Sequence, residues 1–354
     1  MNDSIALCLS GGGYRAMLFH LGAIWRLNEL GWLGKLDRIS SVSGGSITAG
    51  VLGLHWAKLG VTANAPAPGF ATVVDDVRRM ASMTIDVGSV LKGVFGPGTV
   101  SARVCNAYDR TLFHGATLQN LPDHPRFVID STNVQSGALF RFSKPYARDW
   151  RVGEILNPRI PLAVAVTASS AFPPVLSPIE LNPQLYGCRF NPAPPYPDKI
   201  LLTDGGVYDN LGIETAWKEC GTILVSDAGG RVAPEPAPHR DWTRHAYRVI
   251  AIIDDQVRSL RTRALIDSFQ RGERAGAYFG IRTDVRNYEL SDALPCPFGQ
   301  TTALANIPTR LKALAPEQQE KLINWGYAAC DAAMRAHVDR MLPAPQRFPH
   351  ARGV

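Results

Sequence analysis

A chain of 354 residues with 45% hydrophobic and 19% charged residues has enough apolar sequence for a large core, which excludes an intrinsically disordered chain. Its six cysteines form no C-x-x-C pair and no Cys/His spacing typical of zinc, so we expect free thiols in a reducing compartment. The formal charge of +6 at pH 7 is compatible with contact to anionic surfaces but does not by itself indicate nucleic-acid binding.

The N-terminus and the apolar stretches bear on location and domain organisation. The start, MNDSIALCLSGGG, lacks the basic and long apolar segments of a signal peptide, and the apolar stretches at 16–27 and 160–175 are interrupted before they could span a bilayer. We therefore expect a cytoplasmic protein, with at most peripheral contact to an anionic membrane surface. The absence of a linker or repeat predicts one domain over 1–354, with a core over about 4–230 and a C-terminal strand and helices over about 231–345 packed on it. The oligomeric state is left open.

The chain opens with a predicted strand-loop-helix unit. Residues 5–9 (IALCL) form a short apolar run that leads to Gly11, Gly12 and Gly13, and a helical pattern follows up to Gly31.

A second unit of the same kind comes directly after the first. Residues 39–42 form a short strand that meets Ser43 and its glycines, and residues 47–59 read as a helix closed by Gly60. Tandem units predict a parallel sheet with crossover helices, in which loops at the carboxyl ends of the strands lie side by side. Both glycine loops are therefore expected to face one cleft.

The remainder of the chain is less regular. Residues 85–98 are apolar and glycine-rich, and they are either a lid that inserts into lipid or an ordinary buried loop. The elements expected beyond them are a hairpin of strands at 126–133 and 138–143, a helix at 160–168, buried strands at 199–203 and 222–226, a strand at 248–253, and helices at 257–278 and 316–338.

Ser43 stands where the second strand becomes a helix, which is the position of the serine in a nucleophile elbow. Gly44 and Gly45 permit a sharp turn that exposes the hydroxyl, and the helix N-terminus favours negative charge on the reacting oxygen. Ser41 occupies the place of the first glycine of G-x-S-x-G, which weakens the motif. Taken alone, S-G-G-S is also compatible with an ordinary turn.

The first glycine loop supports the catalytic interpretation. Gly11, Gly12 and Gly13 lie one strand-helix unit before Ser43 and would present several backbone N–H groups beside it, as an oxyanion hole requires. Arg15, in the first turn of the following helix, either fixes this loop, attracts an anionic headgroup, or is an ordinary surface or capping arginine.

The same loop also matches a different fingerprint. Gly11-x-Gly13-x-x-Ala16 fits the dinucleotide-binding pattern G-x-G-x-x-G/A after a strand, so a Rossmann-like nucleotide-binding module is the rival hypothesis. That hypothesis requires an acidic residue at the end of the second strand. The sequence has Ser43 there, and Asp37 precedes the strand.

A serine nucleophile needs a base, and none of the eight histidines stands in a motif typical of a catalytic histidine. The chain order of an α/β-hydrolase would allow Asp204 or Asp227 followed by His239 or His245. Such folds place several strands before the elbow, whereas here only one strand precedes the elbow's own strand.

Four motifs occur in the order and approximate spacing of the patatin-like phospholipase family: SGGGYRA, SVSGGS, ASSAFPPVLSP and TDGGVYDNLG. The chain resembles that family over most of its length. The resemblance implies an α/β protein with a three-layer α/β/α patatin-like fold and a central, mostly parallel sheet. The family commonly has glycine where Ser41 and Ala16 stand, which puts rate and substrate range in doubt more than reaction class.

The resemblance also implies a mechanism and its residues. In this family a serine and an aspartate work as a dyad without histidine, which implies that Ser43 attacks the acyl carbonyl and Asp204 accepts its proton. The oxyanion would be bound by Gly11, Gly12 and Gly13, with Gly44 after the serine. The expected function is hydrolysis of lipid acyl esters, of phospholipase A or lysophospholipase type, through an acyl-serine intermediate and without cofactor or metal. Transfer of the acyl group to another acceptor is an alternative.

Other residues have more than one interpretation. Asp227 is a rival base, although a turn acid is the favoured interpretation, and Asp209 is expected to cap a helix that begins near Asn210. Ser169 and Ser170 are expected to shape the cleft wall. Phe172 and its neighbours either line an acyl pocket or belong to the core.

A series of basic residues marks one predicted helix. It is compatible with a solvated face or with contact to anionic lipid, and because no aromatic-rich module accompanies it we expect no nucleic-acid binding. The residues are Arg258, Arg261, Arg263, Arg271 and Arg274.

Overall fold

The computed structural model describes residues 3–85, 100–173 and 176–354. In these ranges the chain forms a ten-stranded sheet flanked by helices. The strands are β1 (Ile5–Leu9), β2 (Arg38–Val42), β3 (Arg126–Asn133), β4 (Ala138–Phe142), β5 (Tyr146–Asp149), β6 (Gly153–Leu156), β7 (Ile179–Leu181), β8 (Ile200–Asp204), β9 (Thr222–Asp227) and β10 (Ala275–Gly280).

The described helices flank this sheet. They are α1 (Gly13–Glu29), α2 (Gly44–Leu59), α3 (Ala71–Ala81), α4 (Val100–Tyr108), α5 (Leu162–Ser169), α6 (Gly206–Asp209), α7 (Glu214–Trp217), α8 (Trp242–Gln270), α9 (Phe298–Ala305) and α10 (Pro316–His337). A π-helical turn at Asp109–Phe113 follows α4.

The main path of the sheet runs in the order β10-β9-β1-β2-β3-β4-β5-β6. The five strands from β10 to β3 are parallel, as predicted for crossover units, and the strands beyond β3 form an antiparallel meander. The central strands are buried on both faces, which explains why β1 and β9 are nearly continuous apolar runs.

The register of β3 brings two distant strands end to end. β2 pairs with residues 126–130 of β3, whereas β8 pairs antiparallel with residues 131–133. Because β4 occupies the other edge of β3 over residues 129–133, β2 and β8 share one edge. They run towards each other along it, so the carboxyl end of β2 meets the carboxyl end of β8.

Helical layers cover both faces of the sheet. Leu7 and Leu9 of β1 pack in a large core with α1, α2, α3 and α10, while Ala6 and Cys8 point to the other face. There they meet the 211–220 segment and Leu265 of α8. This alternation gives the predicted three-layer α/β/α arrangement.

Two predictions for the C-terminal region were wrong. The expected strand at 248–253 lies inside α8. The Asp241 side chain caps the N-terminus of this helix, and the β-branched residues within 248–253 remain largely exposed. The expected helix at 257–278 ends at Gln270, and Gly272 (φ 68°) then turns the chain into β10. Sequence pattern misses β10 because its pairing with β9 is long-range.

Other predicted elements agree with the structure within a few residues. They are the two opening units, the β3–β4 hairpin, the helix after residue 160, strands β8 and β9, and helix α10. The proposed lid at 85–98 lies outside the described residues apart from Ile85. In the described ranges, no helix is both long and apolar enough to cross a bilayer.

Candidate active site

Ser43 lies in a strained turn between β2 and α2. Its backbone has φ 52° and ψ −117°, a conformation that residues other than glycine rarely adopt. The turn packs against the first glycine loop so closely that a Cβ at Gly44 would lie 2.2 Å from the Gly13 carbonyl oxygen. A Cβ at Gly45 would lie 2.5 Å from the Leu9 carbonyl oxygen. Both glycines are therefore required by close backbone approach.

Asp204 faces Ser43 from the end of β8. The residue is 3% exposed, its carboxylate accepts a hydrogen bond from the Gly206 N–H (2.7 Å), and the Ser43 side chain lies close enough to affect its pKa. Burial raises the pKa of Asp204 to about 7, and the Gly206 N–H and the Ser43 side chain only partly oppose the rise. A carboxyl group with this pKa exchanges a proton readily near neutral pH.

The glycine loop lies beside the Ser43 turn. In the described part of the chain, the backbone N–H groups of Gly12, Gly13 and Gly44 donate no hydrogen bond to another protein group. Gly11 was expected to contribute to the oxyanion hole, but its N–H donates to the Asn210 carbonyl (3.1 Å). Three unused donors thus remain in the glycine loop and the Ser43 turn, which pack against each other.

Arg15, in the first turn of α1, is buried and does not reach solvent. Its guanidinium is buried, with Nη2 donating to the Ala228 carbonyl (2.9 Å) and to the Thr309 hydroxyl (3.0 Å), and Nη1 donating to the Ile307 carbonyl. Burial lowers the pKa of Arg15 to about 10, which still leaves it charged at neutral pH. These contacts tie the start of α1 to the 228 and 307–309 segments and disagree with a surface arginine that binds an anionic headgroup.

His20 lies under the loop but is fully engaged. Nε2 donates to the Ser10 carbonyl (2.9 Å), since a carbonyl only accepts, and Nδ1 therefore accepts from the Ser226 hydroxyl (2.7 Å). Burial lowers the pKa of His20 to about 4, so the ring is neutral. It is a structural link between α1, the loop and β9.

Sequence reasoning missed the role of Ser169, which lies behind the elbow and not in the cleft wall. Its Oγ accepts the Ser43 N–H (2.9 Å) and donates to the Asp130 carbonyl (2.6 Å). The Ser46 hydroxyl lies 2.9 Å from this oxygen and donates to Ser41 Oγ (3.1 Å). The serine at position 41, where the elbow motif has glycine, is thus part of the hydrogen bonding that supports the turn.

Asn210 was also missed. Its side-chain oxygen would lie 2.4 Å from a Cβ at Gly11 and 2.8 Å from one at Gly206, so it fills the space between the two loops. The sequence did contain a signal for both residues, because Ser169 and Asn210 stand in motifs shared with the family that the sequence resembles. The motifs do not reveal where these two side chains lie in the folded protein.

The two rival acids are engaged elsewhere. Asp227 accepts from the Tyr278 hydroxyl (2.7 Å) and the Gly229 N–H (2.8 Å), and despite its burial the nearby Arg258 and these hydrogen bonds lower its pKa. Asp37 accepts from the Ile5 N–H (2.7 Å) at the amino ends of the strands, so the nucleotide hypothesis lacks its acidic residue at the loop.

Two further expectations change in detail. Asp209 accepts from the N–H groups of Leu211 (3.2 Å) and Glu214 (2.7 Å), so it caps the short helix α7 and not one that begins at Asn210. Phe172 is 46% exposed, which excludes it from the core.

Comparisons with known proteins agree with this architecture. The chain matches the family model described as patatin-like phospholipase over residues 7–217. The structure of human GIVD cytosolic phospholipase A2 in complex with methyl gamma-linolenyl fluorophosphonate is similar, with a TM-score of 0.56 and 13% identity over 94% of this chain and 58% of that chain. A second structure of the human protein, with the same inhibitor and terbium chloride, gives a TM-score of 0.53 and 14% identity with the same coverage. The chain thus spans less than two thirds of these structures. No curated protein matches it.

Proposed function

Because the chain belongs to the patatin-like phospholipase family, we propose that it hydrolyses acyl esters of lipids, with Ser43 as nucleophile and Asp204 as base. The observation that carries this proposal is that a buried Asp204, whose pKa is about 7, lies near the side chain of the strained Ser43. Both ring nitrogens of the neutral His20 are engaged in hydrogen bonds, so His20 is not available as a base. The Asp204 carboxyl group is the base that we assign to the serine.

Acylation follows from these contacts. Asp204 takes the Ser43 proton while Oγ attacks the acyl carbonyl, and the negative charge that develops on the carbonyl oxygen is stabilised by the N–H groups of Gly12, Gly13 and Gly44. Protonated Asp204 then gives its proton to the leaving alcohol as the ester C–O bond breaks. The products of this half-reaction are the free alcohol and acyl-Ser43.

Deacylation repeats the steps with water. Asp204 removes a proton from water as its oxygen attacks the acyl-serine carbonyl, and it returns that proton to Ser43 Oγ when the acyl group leaves as a carboxylic acid. Each half-reaction needs an ionised Asp204 at its start, so the pKa of this group sets the pH dependence.

We expect kcat/KM for a short-chain ester to rise about tenfold for each pH unit below about 7 and to level off above it, because only ionised Asp204 accepts a proton. The measurement is a pH–rate profile in buffers of constant ionic strength, with labelling by a fluorophosphonate probe followed in parallel. A profile that is flat from about pH 5 to pH 9 would contradict a base with this pKa.

We further propose that the enzyme reaches its substrate on a phospholipid surface through α8. Apolar side chains that fall on one face of this helix are exposed. This apolar stripe consists of Trp242, Val249, Ile250, Ile253, Val257 and Leu260. An exposed tryptophan near the end of an apolar stripe suits the lipid–water interface.

The apolar stripe lies close to the proposed active site. Ile250 and Val257 flank Asp254 by one helical turn, and the charge of Asp254 contributes to the raised pKa of Asp204. One turn further along, the Arg261 guanidinium donates to the Tyr208 carbonyl (3.3 Å), in the short helix α6 that follows Asp204. A lipid surface that contacts the stripe would therefore adjoin the catalytic loops.

The substitution Ile253→Glu is expected to lower hydrolysis of phospholipid vesicles about tenfold, because insertion of this side chain into lipid stabilises binding by roughly 1.5–3 kcal/mol. Turnover of a soluble short-chain ester should stay within about twofold. Ile252→Glu is the matched control, since Ile252 is similarly exposed (49% against 53%) but lies off the stripe. Equal loss in both variants, or equal loss on both substrates, would remove the docking surface.

A further inference from the structure

A cavity away from Ser43 opens at the carboxyl ends of β9 and β10. Its volume is about 330 Å³, and its lining includes neither Ser43, Asp204 nor the glycine loop. The carboxyl ends of parallel strands are where α/β proteins commonly bind ligands. What distinguishes the cavity is its charge.

Four arginines line the cavity, against one carboxylate, Asp227. Arg258 is balanced by Asp227 and by an ion pair with Asp255 (2.9 Å). The other three arginines, Arg231, Arg263 and Arg282, form no ion pair with any residue in the described ranges. The cavity therefore concentrates positive charge that the protein does not neutralise.

Arg282 is oriented but not fully satisfied. Its Nη1 donates to Asn306 Oδ1 (3.0 Å) and its Nη2 to the Ala305 carbonyl (3.0 Å), both of them neutral acceptors. Its Nε is buried and has no hydrogen-bond partner. Burial, with repulsion from Arg231 and Arg258, lowers the pKa of Arg282. A buried donor without a partner is unfavourable unless a ligand supplies the acceptor.

We propose that this cavity binds a phosphate-type oxyanion. Guanidinium groups bind such anions through paired, charge-assisted hydrogen bonds, and the hydroxyls of Ser259 and Thr283 line the same space. The anion would neutralise the facing arginines and satisfy donors that have no protein partner.

Two sources of the anion share this chemistry, the headgroup phosphate of a lipid and free phosphate. Arg258 and Arg263 lie on α8, the helix that also carries the apolar stripe, so the headgroup of a docked lipid is one of the two sources to test. Only the lipid source depends on the proposed function. The wall between the cavity and the glycine loop is the 227–230 segment, where Arg258 contacts Gly229 and Arg15 binds the Ala228 carbonyl.

Thermal unfolding with inorganic phosphate, compared with chloride at equal ionic strength, tests the proposal. Phosphate is expected to raise the Tm of the wild type saturably, and Arg231→Gln/Arg263→Gln should weaken its apparent affinity at least about tenfold. Both side chains are exposed and form no ion pair in the described ranges, so the double variant should fold. Arg347→Gln, an exposed arginine outside the cavity lining, is the control.

The Ser43→Ala protein should bind phosphate like the wild type, which separates this inference from the proposed catalysis. Sedimentation with phosphatidylcholine vesicles, with and without about 20% phosphatidic acid, distinguishes the sources. Loss of the phosphatidic-acid preference in the double variant supports a lipid headgroup, and an unchanged preference with weakened phosphate binding supports free phosphate. A phosphate effect that is absent, equal to that of chloride, or unchanged in the double variant overturns the site.

Discussion

Replacing Ser43 with alanine is expected to lower kcat/KM for both a soluble ester and phospholipid by at least about 10⁴-fold, because no covalent intermediate can form. Labelling by a fluorophosphonate probe, followed by intact mass, should disappear in the same variant. The effect should be close to complete, since the loop donors stabilise an oxyanion only after a nucleophile has attacked.

The protein should remain folded in this experiment. Alanine adopts the φ of 52° at position 43 no more easily than serine does, so the far-UV spectrum and the Tm should stay near those of the wild type. Ser291→Ala, at an exposed turn, is the control and should keep both turnover and labelling. Continued labelling of the Ser43→Ala protein would show that another residue is the nucleophile.

Asp204→Asn is expected to lower turnover about 10³- to 10⁴-fold, because the amide has the shape of the carboxyl group but cannot accept a proton. Its oxygen can still accept from the Gly206 N–H, so the loop should keep its conformation. Steady-state kinetics on the soluble ester measures the loss. Asp198→Asn, an exposed position before β8, is the matched control, and comparable activity in the two variants would exclude Asp204 as the base.

The same substitution, which lowers turnover, is expected to raise the stability of the protein at neutral and higher pH. A carboxyl group whose folded-state pKa is raised makes the folded state bind its proton more tightly, so stability falls as pH rises from about 4 to about 7 and stays lower above that range. At about 1.4 kcal/mol for each tenfold change in proton affinity, a rise from 3.8 to about 7 corresponds to at most about 4 kcal/mol.

Urea unfolding measures this effect. Asp204→Asn should be more stable than the wild type at pH 8, and the difference should shrink towards pH 5, where the wild-type carboxyl group is protonated in the folded state. A variant that is less stable than the wild type at pH 8 would show that Asp204 does not carry the burial cost inferred from its pKa. Gain of stability with loss of turnover is typical of catalytic groups held in unfavourable surroundings.

Local sequence was sufficient for the elements that build the cleft. The apolar runs, the glycine loops and the helical periodicities of the two opening units were each visible within about 30 residues, and the structure agrees with them. The same reasoning failed at α8, where a β-branched run resembles a buried strand but lies in an exposed helix. Apolar side chains that remain in solvent break the usual link between pattern and burial.

For the candidate site, the motifs contained the residue types but not their roles. Ser169 was visible in ASSAFPP, yet its hydrogen bond to the Ser43 N–H depends on the packing of α5 behind the elbow. Likewise, nothing in the sequence indicates that the Gly11 N–H is taken up by Asn210, or that Arg15 is directed to the Ala228 carbonyl and away from solvent.

By itself, then, the sequence determined the two opening strand-loop-helix units, the elbow serine, the glycine loop and the family resemblance, because these depend on short-range pattern. The tertiary structure alone decided how Ser43 and Asp204 come together, since this depends on β2 and β8 sharing one edge of β3 and meeting end to end. It also decided the chemistry of Asp204, because a pKa near 7 arises from burial between segments that are far apart in the chain.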